Sequence, residues 1–149
     1  IYSNLAASSN VARQLRSGID PRSVENYLLE VDNPVVVPAG TKIRLLITGN
    51  DVIHSWWMPQ FAVKKDAIPG FVNEAWFKVE KPGTYRGQCT ELCGRDHGFM
   101  PIVVEVVSKE DYAAWLAAKQ AAQQQAQSAA PAAAATAMNV PPAASTASL

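Results

Sequence analysis

The clearest periodic stretch of the chain is Lys42–Thr48. Ile43, Leu45 and Ile47 alternate there with Lys42, Arg44 and Leu46, the two-residue repeat of a strand with one face on a core. Tyr27–Val31, Val35–Val37, Glu74–Glu80, Thr84–Gly87 and Met100–Val107 are rich in aliphatic, β-branched or aromatic residues and predict further strands. Pro38-Ala-Gly40, Gly49-Asn-Asp51 and Lys81-Pro-Gly83 separate them as turns. Short strands divided by turns predict an all-β sandwich or barrel, not βαβ units. Trp56 and Trp57 are adjacent, so in a strand at least one of them faces outward.

The pattern differs at both ends. Residues 1–23 are polar and mixed and predict at most one short helix around Asn10–Arg16. After Ser108 the period changes. Ser108 with Asp111 forms a variant capping box, with acids in the first helical turn. Tyr112, Trp115 and Leu116 share one helical face. A short helix packed on the sandwich is expected. From Gln120 onward the chain is mostly alanine and glutamine, with no charged side chain. Ala and Gln favour prolonging the helix, but Pro131, Pro141 and Pro142 predict a disordered tail from about residue 128. The expected divisions are a polar N-terminal segment 1–23, a β domain 24–118 and a tail 119–149.

Composition narrows the function. With 149 residues, the chain holds one domain and something extra. Thirteen basic and thirteen acidic residues cancel, so nothing points to nucleic acid. No apolar run approaches the roughly 20 residues of a membrane helix. The chain has neither an initiator Met nor a signal peptide, so a processed chain or a piece of a longer one is expected. Two cysteines allow one disulfide, a metal site or a redox pair.

Both cysteines fall in Cys89-Thr-Glu-Leu-Cys93-Gly-Arg-Asp-His97-Gly-Phe-Met100, with one of the two histidines and one of the three methionines. The other histidine is His54. Thiolate and thioether together select copper, while imidazole also suits zinc or iron. Cys93, His97, Met100 and His54 would make a mononuclear blue-copper set. Cys89 is then surplus, and a second thiolate four residues from the first can bridge. Two bridging sulfurs would hold two metals, each capped by one histidine. Met100 and a backbone carbonyl between the cysteines would fill the remaining positions. A Cys89–Cys93 disulfide and a tetrahedral Cys₂His₂ zinc site remain open at this level. So do Met100 as core packing and His54 as an ordinary loop histidine.

Four segments in order go further. They are Asp51-Val-Ile-His54-Ser-Trp56, Lys65-Asp-Ala-Ile-Pro-Gly70, Pro82-Gly-Thr-Tyr-Arg-Gly-Gln-Cys89 through Met100-Pro101, and Ile102-Val-Val-Glu-Val106. Over about residues 25–117 the chain resembles subunit II of the haem-copper cytochrome c oxidases, in its dinuclear CuA domain. The resemblance implies a cupredoxin-like Greek-key β-sandwich or barrel. It also implies a ligand set of His54, Cys89, Glu91 through its backbone carbonyl, Cys93, His97 and Met100. Cys89 and Cys93 would bridge two coppers, and His54 and His97 would cap one each.

The same resemblance implies an electron relay within a proton-translocating oxidoreductase on the extracytoplasmic face of a respiratory membrane. The domain would take electrons from cytochrome c and pass them to haem in subunit I. The Glu91 side chain would help hold magnesium, only with subunit I present. Asp51 would lie on the face that docks cytochrome c, unless it is a plain turn aspartate. Arg95 and Asp96 are candidates for supporting the loop or meeting a partner, or form an ordinary surface ion pair. The family's membrane helices and tryptophan-rich stretch are not in this sequence. Membrane contact is expected only through them. Alternatives from other classes are a free mononuclear copper shuttle and a copper-delivery protein.

Overall fold

The computed structural model describes residues 2–129. Residues 1–112 form one compact unit, and a second begins at Ala113. The first unit holds seven strands: β1 (Val35–Pro38), β2 (Lys42–Ile47), β3 (His54–Met58), β4 (Val63–Ala67), β5 (Asn73–Lys78), β6 (Gly83–Cys89) and β7 (Pro101–Val107). One sheet has the order β1-β7-β6-β3-β4, and the other pairs β2 with β5. Only β1–β7 is parallel; the other pairings are antiparallel. The chain leaves the larger sheet at β2 and again at β5, and returns to it at β3 and β6.

The core draws on both sheets. Val37, Met58, Phe77, Val104 and Val106 are buried, and Ile43 and Leu45 pack on them. Met58 and Val104 have no exposed surface; burying each contributes roughly 1.5–3 kcal/mol. The alternation in Lys42–Ile47 is realised: Ile43, Leu45 and Ile47 face in, Leu46 is exposed, and Arg44 pairs with Glu74 across β2–β5. Trp56 packs against the core and stacks on Phe77 with ring centres 6.2 Å apart. Trp57 turns outward, as an adjacent pair requires.

Two local expectations fail. Tyr27–Val31 is not a strand. Asn26 and Leu28 have positive φ, Leu29 N–H closes a turn on the Asn26 carbonyl, and only Val31 makes a bridge, to Leu5. The apolar side chains suited a strand, but a tertiary hydrogen bond holds the turn instead: buried Ser9 accepts the Leu28 N–H at 3.0 Å. The first helix, α1, is Ala7–Ala12, earlier than Asn10–Arg16. His54, for which an ordinary loop position remains open in the sequence, opens β3. Strand β4, Val63-Lys-Lys-Asp-Ala67, carries too much polar character to announce itself.

The second helix, α2, runs Lys109–Ala129, prolonged by its Ala/Gln stretch. It starts as the sequence requires. Ser108 Oγ accepts the Asp111 N–H at 3.0 Å and donates to Asp111 Oδ2 at 2.8 Å. Residues 130–149, where the disordered tail is expected, lie outside the described residues. No helix among the described residues is long and apolar enough to cross a membrane.

Candidate metal centre

The site forms where β3 begins and β6 ends. These neighbouring strands are antiparallel, so the start of one lies beside the end of the other. Their register sets Trp56 opposite Cys89. Two backbone bonds continue the ladder: Thr90 N–H to Ser55 C=O and Cys89 N–H to Met100 C=O, both 3.1 Å. Gly87 permits the close approach of the strands. A β-carbon built there would overlap the Trp57 carbonyl. The loop beyond Cys93 turns at Gly94, whose φ of +123° suits glycine. It then winds into a single 3₁₀ turn, His97–Phe99.

All six candidate donors come together. The sulfurs of Cys89 and Cys93 are 3.8 Å apart, and both thiols are free; a disulfide would need about 2 Å. His54 Nδ1 is 4.0 Å from Cys89 Sγ, and the Glu91 carbonyl accepts from the same sulfur at 3.4 Å. His97 Nδ1 is 3.4 Å and Met100 Sδ 3.5 Å from Cys93 Sγ. Each sulfur thus has one imidazole and one weak donor beside it. Among the described residues, His54, Cys89 and Cys93 offer ligand atoms within 4.8 Å of one another. Cys89 is buried, whereas Met100 and Leu92 are exposed.

Electrostatics splits the thiols. At Cys89 burial opposes the thiolate. Hydrogen bonding at the sulfur from the Ser55 and Glu91 backbone, His54 and His97 outweighs it and brings the thiol down to about 7. At Cys93 burial and the neighbouring Cys89 sulfur push the thiol up to about 11. One proton leaves readily and the second is retained, as for any close pair of like acids. A bound cation would reverse that second preference.

One supporting residue shows a role its sequence position did not. Asp51 Oδ1 lies 2.8 Å from His54 Nε2. A carboxylate only accepts, so Nε2 carries the proton and Nδ1 is left facing the sulfurs. The hydrogen bond to Asp51 holds His54 above its ordinary value, and the bond to His54 lowers Asp51. The Asp51-x-x-His54 spacing was the available signal. Asp96 pairs with Arg95 at 3.7 Å and with Arg13 at 3.8 Å. Arg13 was not singled out from the sequence. Glu91 keeps its side chain exposed, along a groove also lined by Lys64, Lys65 and Asp66.

Comparison with known proteins gives one family. Residues 12–107 match the family described as cytochrome c oxidase subunit II, periplasmic domain. The probable cytochrome c oxidase subunit 2 of Rickettsia prowazekii is 56% identical over 95 residues, which cover 64% of this chain and 30% of the relative. The chain spans about a third of the length of the relatives it matches. Among solved structures, the periplasmic domain of subunit II of cytochrome oxidase of Bradyrhizobium japonicum is 44% identical, with a TM-score of 0.65. That match covers 78% of this chain and 73% of that one, and the fold is cupredoxin-like. A second structure is a mixed-disulfide intermediate between a thioredoxin-like protein and subunit II of cytochrome c oxidase. It is 53% identical, with a TM-score of 0.55, covering 61% of this chain and 68% of that one. Two sheets with a soft-donor cluster at one end, and a family match across nearly the whole β unit, carry the conclusion: the chain belongs to the periplasmic-domain family of cytochrome c oxidase subunit II.

Proposed function

We propose that the chain is the electron-accepting domain of an oxidase, holding a dinuclear copper centre that takes electrons from a cytochrome c and passes them to haem in subunit I. The observation that carries this is the convergence of two imidazoles, a thioether and a backbone carbonyl on two sulfurs 3.8 Å apart. The donor set fits a copper pair. Two thiols can bridge, two imidazoles can cap, and Met100 and the Glu91 carbonyl add one weak donor each. A single copper would leave Cys89 without a task, and a zinc site would not call for Met100. Bound there, a copper pair supplies a one-electron relay whose charge is shared through the sulfurs.

The chain's own residues hold and orient. Asp51 keeps His54 Nδ1 turned to the sulfurs. The β3–β6 ladder and the Met100 carbonyl fix the backbone at Cys89. Burial of Cys89 and Ser55 keeps water from that side of the site. No substrate pocket or general base is required. The exposed acid Asp51 sits where a basic partner would be attracted. The exposed Glu91 side chain is free to serve magnesium once subunit I is present.

Electron paramagnetic resonance of the copper-loaded chain tests the reading. The expected signal is one unpaired electron spread over two copper nuclei, at two coppers per chain. A signal confined to one nucleus would overturn it in favour of a mononuclear shuttle. Rapid transfer of copper to an apo acceptor would favour delivery.

A second reading concerns the thiols before loading. A relative is known in mixed disulfide with a thioredoxin-like protein, and the Cys89 thiol is acidic enough to exchange near neutral pH. The Cys89–Cys93 pair is then kept reduced by such a partner. Oxidised chain should regain two titratable thiols, and with them copper uptake, only after treatment with a thioredoxin-like reductant.

A further inference from the structure

The N-terminal segment supplies none of the candidate donors, yet it touches the loop that carries two of them. Arg13 follows α1 directly. Its guanidinium carbon lies 4.2 Å from the centre of the Phe99 ring. Its Nη1 lies 3.8 Å from Asp96 Oδ1, and its Nε donates to Asn10 Oδ1 at 2.8 Å. The side chain is 29% exposed, so the guanidinium is partly dehydrated, which strengthens its attraction to a ring face.

Both ends of this contact are fixed. On the helix side Ser9 and Ala12 are buried, and Ser9 Oγ accepts the Leu28 N–H at 3.0 Å. On the loop side Asp96 and Phe99 are the first and last residues of one turn, closed by Phe99 N–H to Asp96 C=O at 2.9 Å. His97 lies inside that turn and Met100 follows it. A guanidinium that grips Asp96 and Phe99 therefore restrains both donors at once.

We propose that Arg13 is a positioning residue, a clamp by which the N-terminal segment sets the 3₁₀ turn that presents His97 and Met100. The clamp exists in the metal-free chain; its consequence for copper rests on the proposed dinuclear site. Donors already held in place lose less conformational freedom on binding. They also swing away less readily, so the clamp slows metal release.

Hydrogen exchange in the metal-free chain reads the clamp without copper. In Arg13→Gln the His97 and Phe99 amides should exchange about fivefold faster, the scale of one half-buried cation–ring contact. The Val104 amide in the core should be unchanged. In the copper-loaded chain, release to a competing chelator should speed up by a similar factor. Arg13→Lys keeps the charge near Asp96 but loses the flat face over Phe99, and should fall between the two. Unchanged loop exchange, or equal acceleration at Val104, would overturn the clamp, the second by showing a merely global loss of stability. If the unmutated chain never gives a two-copper signal, the copper reading fails while the exchange experiment still decides the role of Arg13.

Discussion

At the scale of single residues, the site depends on which atom points where. Asp51 takes the Nε2 proton of His54 in a hydrogen bond and so commits Nδ1 to the sulfurs. Removing an orienting carboxylate of this kind weakens metal sites by about 10–100-fold. Asp51→Ala should therefore lower copper affinity by at least about tenfold while the metal-free fold keeps its far-ultraviolet circular dichroism; competition with a chelator measures it. Unchanged affinity would mean that the strand alone aims the imidazole. Cys89→Ser tests the surplus thiol. Its hydroxyl cannot bridge as a thiolate does, so the two-nucleus resonance signal should vanish. A surviving signal would move the bridge elsewhere. The donors were legible in the sequence because soft side chains are few and crowd one loop. The Asp51 contact was not, because an aspartate three residues before a histidine is common in turns.

At the scale of elements, the β3–β6 contact joins the upstream histidine to the downstream cysteines. Gly87 lies against the Trp57 carbonyl with no room for a β-carbon. Gly87→Ala must push the strands apart and should cost about 1–3 kcal/mol, a typical penalty for overpacking. It should also weaken copper binding, since the displaced backbone is close to Cys89 on the same strand. A urea midpoint within error of the unmutated chain would show that the strands can yield there. The stretch that leads into β1 is bound to β6 by a half-buried pair, Arg86 Nη2 to Glu30 Oε2 at 2.6 Å. The Nε of Arg86 is buried with no hydrogen-bond partner. Glu30→Ala leaves the guanidinium poorly compensated and should cost about 1–2 kcal/mol, read from the same urea titration.

At the scale of the whole molecule, pH couples to stability through carboxylates that the fold uses. Asp32 accepts the Asn4 N–H at 2.8 Å and Asn4 Nδ2 at 3.0 Å, which lowers its carboxyl. Glu74 is lowered by its hydrogen bonds to Arg44. For both, the folded value lies below the unfolded one. Their stabilisation is present above the ordinary carboxylate range of about 4 and is lost as pH falls through the folded values. The urea midpoint of the metal-free chain should fall on acidification below about pH 4, and Asp32→Asn should flatten that limb. A midpoint that rises on acidification would contradict the linkage.

The sequence by itself determined the strands whose pattern is local. Lys42–Ile47 and Pro101–Val107 follow from alternation and β-branched density, and the start of α2 follows from Ser108 and Asp111. It also named the candidate donors, because thiol, thioether and imidazole occur almost nowhere else in the chain. Tertiary structure decided the rest. Tyr27–Val31 gave up its strand to a turn held by Ser9, 19 residues away from Leu28. His54 came within 4.0 Å of a sulfur 35 residues later because antiparallel register, not sequence spacing, sets distance across a sheet. Arg13 reached Phe99 only through the folded N-terminal segment. Periodicity reports which face of an element is buried. It carries no information about which ends of which elements meet, and the site lies where such ends meet.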